Sequence, residues 1–231
     1  MNVNVQNIIS GNWNIPITFK LDKPQILTII GRNGVGKTTL LNTLAGLLPI
    51  KSGSFIFNDE DITNTNEIKR VKLGIRIALE GRHIFTRLTV KENLFIGALH
   101  DKDKNKKIIL MENILETFPD PKDKLSETAG GLSGGQQTQL SIARALIGQP
   151  KLLLLDEPTL GLDPLNIEKL INVIKKINIE SVAVIMAEQS ASLAKAFPDR
   201  VLLMSNNSIF FDGTFSEAII EKKFDGILPE R

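Results

Sequence analysis

The chain of 231 residues is predicted to adopt an α/β fold with a mostly parallel sheet, an antiparallel β region at the N-terminus and a helical lobe. Three observations predict this fold. Continuous apolar runs of strand length, such as "ILTII" (26–30) and "LLLL" (152–155), alternate with segments of helical periodicity, as in parallel α/β sheets. The first thirty residues instead alternate apolar and polar side chains, as short antiparallel strands do. The middle third, roughly 82–145, has only helical spacing.

We expect one domain, 1–231, with its core in about 1–81 and 146–231 and the helical lobe in about 82–145. In the first part of the chain we expect antiparallel strands before the buried strand 26–30, then a helix "KTTLLNTLAGLL" and strands at 53–59 and 73–79. Helices follow within 89–118 and from Ser133. The last part should contain a strand "KLLLLD" (151–156), a helix "LNIEKLINVIKKI", a strand "SVAVIMA" and a hairpin turning on Asn206-Asn207.

Composition is that of a globular protein and excludes several classes of function. Hydrophobic residues make up 42% and charged residues 23%, which is ordinary for a domain with a substantial core. The chain has no cysteine, so disulfides and thiolate metal sites are excluded. The net charge of +2 is too small to predict nucleic-acid binding. The lysines at 101–107 are mixed with acids, which favours a solvated helix start.

Neither a signal peptide nor a membrane span is expected from the sequence. The N-terminal segment "MNVNVQNIISGNW" lacks the basic and long apolar parts of a signal peptide. Apolar runs are strand-sized and do not approach the roughly 18–20 residues needed to cross a bilayer. We therefore expect a cytoplasmic protein that reaches a membrane only through a partner.

The segment "GRNGVGKTT" (31–39) fits the pattern G-x-x-x-x-G-K-[ST] and lies between a buried strand and a helix. Glycines at this spacing let successive backbone N–H groups turn toward phosphate oxygens, and the following helix N-terminus favours the same charge. The lysine can reach the β- and γ-phosphates, and the next hydroxyl can ligate Mg²⁺. The alternative is a glycine-rich loop that merely turns the chain. The predicted ATP-binding residues are Gly31, Arg32, Asn33, Gly34, Val35, Gly36, Lys37, Thr38 and Thr39, with Thr38 also a metal ligand.

Two acids directly follow the buried strand in "KLLLLDEPTLGLDP" (151–164). Ligands of open α/β sheets bind beyond the carboxyl ends of the strands, where the phosphate loop also lies. Asp156 is therefore predicted to hold Mg²⁺, and Glu157 is predicted to act as the general base on the attacking water. Alone, this acidic pair would equally suit a solvated strand end.

A second candidate anion cradle is present in "GLSGGQQTQLSIARAL" (131–146), where a serine and two glycines lead into a helix. A serine N-cap followed by flexible glycines is the simpler explanation of this segment taken alone. The chain thus has two candidate phosphate-binding devices but one set of predicted Mg²⁺ ligands.

These segments together resemble the ATP-binding cassette family over essentially the whole chain and in the family's order. "GRNGVGKTT", "LSGGQQ", "LLLLDEP" and "GLDP" are similar to its Walker A, signature, Walker B and D-loop motifs. The resemblance implies a head-to-tail dimer, in which each ATP lies between the Walker A loop of one subunit and the signature of the other. It assigns Ser133, Gly134, Gly135 and Gln136 to the partner's nucleotide and Asp163 to the dimer contact.

Two departures from the family pattern distinguish this chain. The position of the family's γ-phosphate-sensing histidine corresponds to Gln189 in "AEQS", and the only histidines, His83 and His100, lie elsewhere. A glutamine amide can donate a hydrogen bond to the γ-phosphate but cannot hold a charge. Glu80 stands where the family usually has a glutamine near Mg²⁺ and water, and is predicted as a metal ligand. Together with the stretch "EGRHIFTRLTVKENL", these two departures resemble the ATPase subunits of branched-chain amino-acid importers. Urea and amide importers have a similar ATPase, so the resemblance leaves the substrate open.

The resemblance also suggests where the nucleotide base and a permease would bind. The chain has no tyrosine, and Trp13 is predicted to stack on adenine, with Phe19 second and a core role for Trp13 as the alternative. The groove that would receive a permease helix is expected at Phe85, Leu88, Leu94 and Phe95, although packing within the lobe would explain these residues equally well.

The sequence therefore predicts an ATP- and Mg²⁺-dependent ATPase subunit that powers a separate permease at the inner face of the cell membrane. The expected partners are permease subunits, an identical or related second ATPase subunit and an extracytoplasmic solute-binding protein, with no nucleic acid. The solute would be a branched-chain amino acid or a similar small polar molecule. The alternatives are an exporter ATPase, a soluble cassette ATPase acting on DNA or ribosomes, and a P-loop kinase, which would have no use for "LSGGQQ".

Overall fold

The computed structural model describes residues 1–13, 15–81, 83–99, 103–179, 181–197 and 199–224. Its strands are β1 (Val3–Ser10), β2 (Ile17–Leu21), β3 (Ile26–Ile30), β4 (Ile50–Phe57), β5 (Glu60–Asp61), β6 (Ile75–Ala78), β7 (Leu152–Asp156), β8 (Ala183–Glu188), β9 (Val201–Ser205) and β10 (Ser208–Gly213). Its helices are α1 (Lys37–Ala45), α2 (Glu67–Leu73), α3 (Val90–Gly97), α4 (Lys104–Thr117), α5 (Pro119–Lys122), α6 (Gly134–Leu146), α7 (Pro164–Ile179), α8 (Ser192–Ala196) and α9 (Phe215–Ile220), with a 3-10 turn at Ala129–Gly131.

A six-stranded sheet forms the centre of the molecule, in the order β10-β9-β3-β8-β7-β6. All its neighbours pair in parallel except β10 and β9, which form an antiparallel hairpin. Since the parallel strands all end at the same edge, the segments that follow β3, β7 and β8 meet there. The predicted mostly parallel sheet is confirmed.

The N-terminal antiparallel region is a separate four-stranded sheet in the order β2-β1-β4-β5. β1 pairs antiparallel with both β2 and β4, so the antiparallel prediction is confirmed for these strands. Val3, Val5 and Ile8 of β1 are fully buried and pack with α1 and with one face of the large sheet. The alternation seen in the sequence therefore reflects a sheet with one buried face.

Residues of the large sheet alternate between two cores, as the pleat requires. Leu152 and Leu154 of β7 join the core shared with α1 and the small sheet. Leu153 and Leu155 point the other way, into a core shared with α3, α4, α6 and α7. The four-leucine run is apolar on both faces because both faces are covered.

The hairpin predicted at Asn206-Asn207 is observed between β9 and β10. Both asparagines have left-handed backbones, with φ of 49° and 59°. A two-residue turn of this kind matches the twist of the flanking strands, and asparagine tolerates the conformation better than most residues. The turn brings Asn207 to the same cavity as the glycine-rich loop that follows β3.

Between residues 83 and 145, the described part of the chain is helical apart from connecting turns and one isolated bridge between Thr89 and Thr128. Thr89 caps α3 in a reciprocal capping box with Glu92. Leu94 is fully buried in the core, so its predicted place in a permease groove is wrong. Phe85 is exposed, and Leu88 and Phe95 are half-buried. Across the described residues, no helix has the length and apolar composition needed to span a membrane.

Candidate active site

The phosphate loop (31–39) runs from the end of β3 into the start of α1. Gly34 and Gly36 have φ of 82° and 98°, a backbone conformation that side chains with a Cβ strongly disfavour. At Gly31 the obstacle is space, because a Cβ there would lie 2.6 Å from the Met204 carbonyl oxygen. The glycines therefore let the loop curl tightly beneath a space that can hold phosphates.

Lys37, the first residue of α1, is 4% exposed and reaches back over this loop. Its ammonium group donates to the carbonyl oxygens of Gly31 at 2.9 Å and Arg32 at 3.2 Å. It also lies 3.3 Å from the carboxylate of Glu157. The positive charge is thus held at the phosphate loop and beside the acid that follows β7.

Thr38 and Asp156 are joined as the sequence predicted for a metal site. The Thr38 hydroxyl donates to Asp156 Oδ1 at 3.1 Å. The other carboxylate oxygen, Oδ2, is buried and has no partner among the described residues. Burial raises the pKa of Asp156 to about 6, and the charges of Glu157 and Glu80 act in the same direction.

This pair suits Mg²⁺ because hydroxyl and carboxylate oxygens are its preferred protein ligands, and an orphaned carboxylate oxygen gains a partner when a cation binds. The described residues contain no group of three or more acidic, histidine or cysteine side chains that could hold a metal. The hydroxyl and carboxylate of Thr38 and Asp156 fit a cation held by one or two protein groups, with phosphate oxygens and water completing its coordination.

Glu157 follows β7 in a left-handed conformation, with φ of 44°, which is strained for a glutamate. Its backbone N–H donates to the Ala187 carbonyl of β8 at 2.9 Å. The strained backbone aims the side chain toward Lys37 and the phosphate loop. Glu157 therefore lies where a base acting on water beside the terminal phosphate would have to be.

A cavity of about 600 Å³ lies above the phosphate loop. The predicted residues that line it are Trp13, Asn33, Gly34, Gly36, Lys37, Thr38, Thr39, Glu80 and Glu157. Four residues of the lining were not predicted: Gly11, Asn12, Leu48 and Asn207. Only the hairpin signal at Asn206-Asn207 could have placed one of these, because the others come from connections whose direction the sequence does not specify.

Trp13 is 4% exposed and belongs to the core. Its indole Nε1 edge packs against Gly36, where an added Cβ would lie 2.6 Å from Nε1. Trp13 also lines the phosphate cavity, and a ring that stacks on a base must offer a face to it. The structure thus gives Trp13 a packing contact with the phosphate loop, and its stacking on adenine stays a prediction. Phe19 is also buried, at 3% exposed.

Glu80 lies in the turn after β6 and is exposed. It lines both the phosphate cavity and a neighbouring cavity of about 260 Å³ that also includes Asp156, Glu157 and Ser141. The structure thus brings Glu80 to the acidic pair. Its direct ligation of Mg²⁺ remains a prediction.

The signature segment forms the start of α6, away from the phosphate cavity of its own chain. Ser133 is the N-cap: its hydroxyl accepts from the Gln136 N–H at 3.4 Å, and Gln136 Oε1 accepts from the Ser133 N–H at 3.0 Å. Ser133 is exposed and Gly134 is half-buried. Neither residue is among the described residues that line the phosphate cavity. The structure therefore keeps the two candidate phosphate cradles apart within one chain.

Gly135 connects the signature to the D-loop. A Cβ at Gly135 would lie 2.6 Å from Asn166 Cγ, in the first turn of α7. Asn166 in turn donates from its backbone and side chain to Asp163, at 3.0 and 2.6 Å. Asp163 thus caps α7 and is linked through Asn166 to the signature glycine.

The last strand residue, Glu188, and its neighbour Gln189 lie in different environments. Glu188 is 3% exposed, and burial raises its pKa to about 7. Its carboxylate accepts from the Thr159 N–H at 3.0 Å and from the Thr159 hydroxyl at 2.7 Å. Gln189 is exposed and is not part of the phosphate cavity lining as described. The structure thus does not bring Gln189 to the cavity, and its contact with a γ-phosphate stays a prediction.

With its phosphate loop, acidic pair and separate signature on this fold, the chain belongs to the ABC transporter family, whose pattern it matches over residues 15–160. It is an ATPase of the ATP-binding cassette type.

Three curated relatives extend this result over most of the chain. One relative is the high-affinity branched-chain amino acid transport ATP-binding protein BraG from Pseudomonas aeruginosa. It is 38% identical over 207 residues, which cover 90% of this chain and 88% of the length of BraG. A probable branched-chain amino acid transport ATP-binding protein LivF, from Archaeoglobus fulgidus, is 33% identical and covers 94% and 93%. A phosphonates import ATP-binding protein PhnC, from Treponema denticola, is 31% identical and covers 85% and 81%.

Solved structures agree with the fold. A nucleotide-free ATP-binding cassette of an ABC transporter superposes with a TM-score of 0.86 at 25% identity, covering 98% of this chain and 96% of that one. A cassette in its ADP conformation superposes with a TM-score of 0.85 at 24% identity, covering 98% and 99%.

Proposed function

We propose that this chain is the ATPase subunit of an importer, and that it powers a separate membrane permease for branched-chain amino acids or a similar small polar solute. The observation that carries the proposal is a similarity that extends over nearly the whole chain to two proteins named for branched-chain amino acid transport. Their sequences are 38% and 33% identical to this chain. The replacements at Glu80 and Gln189 support the same subgroup.

In the proposed reaction, the phosphate loop and Lys37 hold the β- and γ-phosphates of ATP, and Glu157 accepts a proton from the attacking water. The water oxygen bonds to the γ-phosphorus while the bond to the ADP oxygen breaks. Thr38 and Asp156 would hold Mg²⁺, with Glu80 beside them, and the ion would neutralise the charge of the phosphate oxygens. Lys37 lies 3.3 Å from Glu157, which supports action of the two groups on the same phosphate.

We further propose that the complete site forms between two chains. The N-terminus of α6, where Ser133 is exposed and Gly134 and Gln136 are half-buried, has the geometry of an anion cradle. None of these residues lines the cavity above the phosphate loop of the same chain. A second cassette facing head-to-tail would bring this cradle to the γ-phosphate. Asp163, which caps α7 beside Gly135, would lie at the contact.

An importer of this kind needs further partners, namely permease subunits and an extracytoplasmic solute-binding protein. The chain would then bind to the permease at the inner face of the cell membrane. The exposed ring of Phe85 supports a permease contact in the loop after β6, where the Arg144 guanidinium lies 5.3 Å from the ring centre and holds it in place. Leu88 and Phe95 lie near it in the chain and remain candidates.

The test is to isolate the tagged chain from gently solubilised membranes, identify the co-purified permeases and reconstitute them with their binding protein. ATP hydrolysis should rise severalfold when the binding protein carries leucine, isoleucine or valine. Stimulation by phosphonates instead would favour the alternative that the PhnC relative supports. Stimulation by a substrate on the cytoplasmic side would indicate an exporter and overturn the proposal.

A further inference from the structure

We propose that Glu188 is a positioning residue for ATP hydrolysis, and that its buried carboxylate anchors Thr159 so that Glu157 and the D-loop keep their working geometry. The inference rests on the proposed role of Glu157 as general base. It explains why a core strand ends on a carboxylate.

The first observation is the backbone of Glu157. Its φ of 44° is strained, and such a conformation persists only where the surroundings hold it in place. The turn that contains it continues through Thr159 and Leu160, whose N–H donates to the Glu157 carbonyl at 3.1 Å. Something outside the turn must therefore hold it against relaxation.

The end of β8 supplies that support at three points. The Ala187 carbonyl accepts from the Glu157 N–H at 2.9 Å, and the next residue, Glu188, accepts from both donors of Thr159. Two hydrogen bonds to one carboxyl oxygen that is buried form a directional anchor, because water cannot replace either donor there.

The same residue is also tied to the phosphate loop. The Glu188 carbonyl accepts from the Gly31 N–H at 3.2 Å, and Glu188 pairs with Ile30 in the parallel ladder. One strand-end residue therefore joins the first glycine of the loop, through its backbone, to the segment that follows Glu157, through its side chain. A displacement of Thr159 would change the distance between the base and the phosphates.

Thr159 also leads into the D-loop. Its carbonyl accepts from the Leu162 N–H at 3.1 Å, and Asp163 follows as the cap of α7. The anchor at Glu188 thus holds one end of a short segment whose other end is the predicted dimer contact. Loss of the anchor should impair turnover more than nucleotide binding.

The experiment compares four variants of the full chain. Glu188→Gln and Thr159→Ser keep both hydrogen bonds. Glu188→Leu removes both, and Thr159→Val removes only the one from the hydroxyl. For each, kcat, KM, the dissociation constant for ATP and the melting temperature are measured. The two conservative variants should stay within about threefold of wild-type kcat. Glu188→Leu should lose about ten- to a hundredfold in kcat, as expected when buried hydrogen-bond donors lose their acceptor, with ATP affinity changed by less than about threefold.

The pair should also be coupled, so the double variant Glu188→Leu/Thr159→Val should be no slower than Glu188→Leu alone. Thr159→Val is nearly isosteric and keeps the test valid if Glu188→Leu fails to fold. Wild-type kcat in Thr159→Val, or a parallel loss of ATP affinity and melting temperature, would overturn the positioning role. Measuring Glu157→Gln beside them separates the two proposals, because undiminished hydrolysis in that variant removes the base itself.

Discussion

At the residue scale, the proposed hydrolysis of ATP depends on a few charged groups that lie together at one edge of the sheet. Lys37 and Asp156 are nearly buried, at 4% and 3% exposed, and Glu157 lies 3.3 Å from the lysine. Charges at such sites interact more strongly than in water because the surroundings screen them less. A substitution that keeps the shape of the side chain but removes its charge or basicity therefore tests the chemistry of the site most cleanly.

Glu157→Gln should lower kcat by about a hundredfold or more, since general base catalysis contributes about 10²–10⁴. The amide fills the same space but cannot accept a proton from water. ATP should still bind, because the phosphate loop is unchanged. Hydrolysis measured by phosphate release, together with equilibrium binding of ATP, checks this outcome, and Glu168→Gln on α7 serves as a control that should leave both unchanged.

Trp13 is the only tryptophan, and the chain has no tyrosine, so emission excited in the near ultraviolet reports almost entirely on this one side chain. Because its indole edge contacts Gly36, filling the phosphate loop should change that emission. Magnesium tripolyphosphate should therefore shift the spectrum in the same direction as MgATP. A change that requires the adenine base would show that the ring stacks on it after all.

The raised pKa of Glu188 gives a pH dependence to stability. The value rises to about 7 from 4.5 on folding, mainly through burial, so the folded chain binds the proton more tightly. Its stabilising contribution is present below about pH 4.5 and is lost as the pH rises through about 7. Between pH 5 and 8 the melting temperature of the wild type should fall by several degrees relative to Glu188→Gln. Parallel curves for the two proteins would contradict the assignment.

At the scale of elements, the strands and the helix starts were largely predictable from local pattern. The apolar run 26–30 is β3, the asparagine pair turns the β9–β10 hairpin, and Ser133 caps α6. Each depends on signals within a few residues: apolar continuity, left-handed turn residues and a capping box.

Contacts between distant elements could not be predicted in the same way. Glu188 and Thr159 are 29 positions apart, and Trp13 meets Gly36 only because β1 and α1 pack together. Leu94 has the same local pattern as a surface groove residue, but it faces α6 and the core. Which face of an element is covered depends on the whole fold, and a single sequence does not state it.

The packing of α3 against α6 gives a test at this scale. A Cβ at Gly97 would lie 2.1 Å from the Arg144 carbonyl oxygen, so Gly97→Ala should destabilise the protein by about 1–3 kcal/mol despite the better helix propensity of alanine. Gly131→Ala is the matched control, since the nearest atom to its new Cβ is 4.0 Å away. Thermal or urea unfolding of both variants measures the difference, and equal stabilities would contradict the close helix contact.

At the scale of the whole molecule, the arrangement of the two phosphate cradles is the central feature. The phosphate loop lies at the carboxyl edge of the parallel sheet. Ser133 is exposed at the N-terminus of α6 and is not among the described residues that line the cavity above the loop. In the proposed dimer, a second chain would supply its signature to the γ-phosphate held by this loop. One complete site would then form from two incomplete ones.

Complementation between two inactive variants tests this claim most directly. Lys37→Ala removes the phosphate-loop charge, and Ser133→Asp keeps a good N-cap but puts a negative charge where the partner's γ-phosphate would bind. Each variant alone should hydrolyse ATP at a small fraction of the wild-type rate. Mixed in equal amounts, they should recover up to about a quarter of that rate, because half of the dimers are mixed on random pairing and each has one intact site. No gain on mixing, or full activity of Ser133→Asp alone, would contradict the shared site.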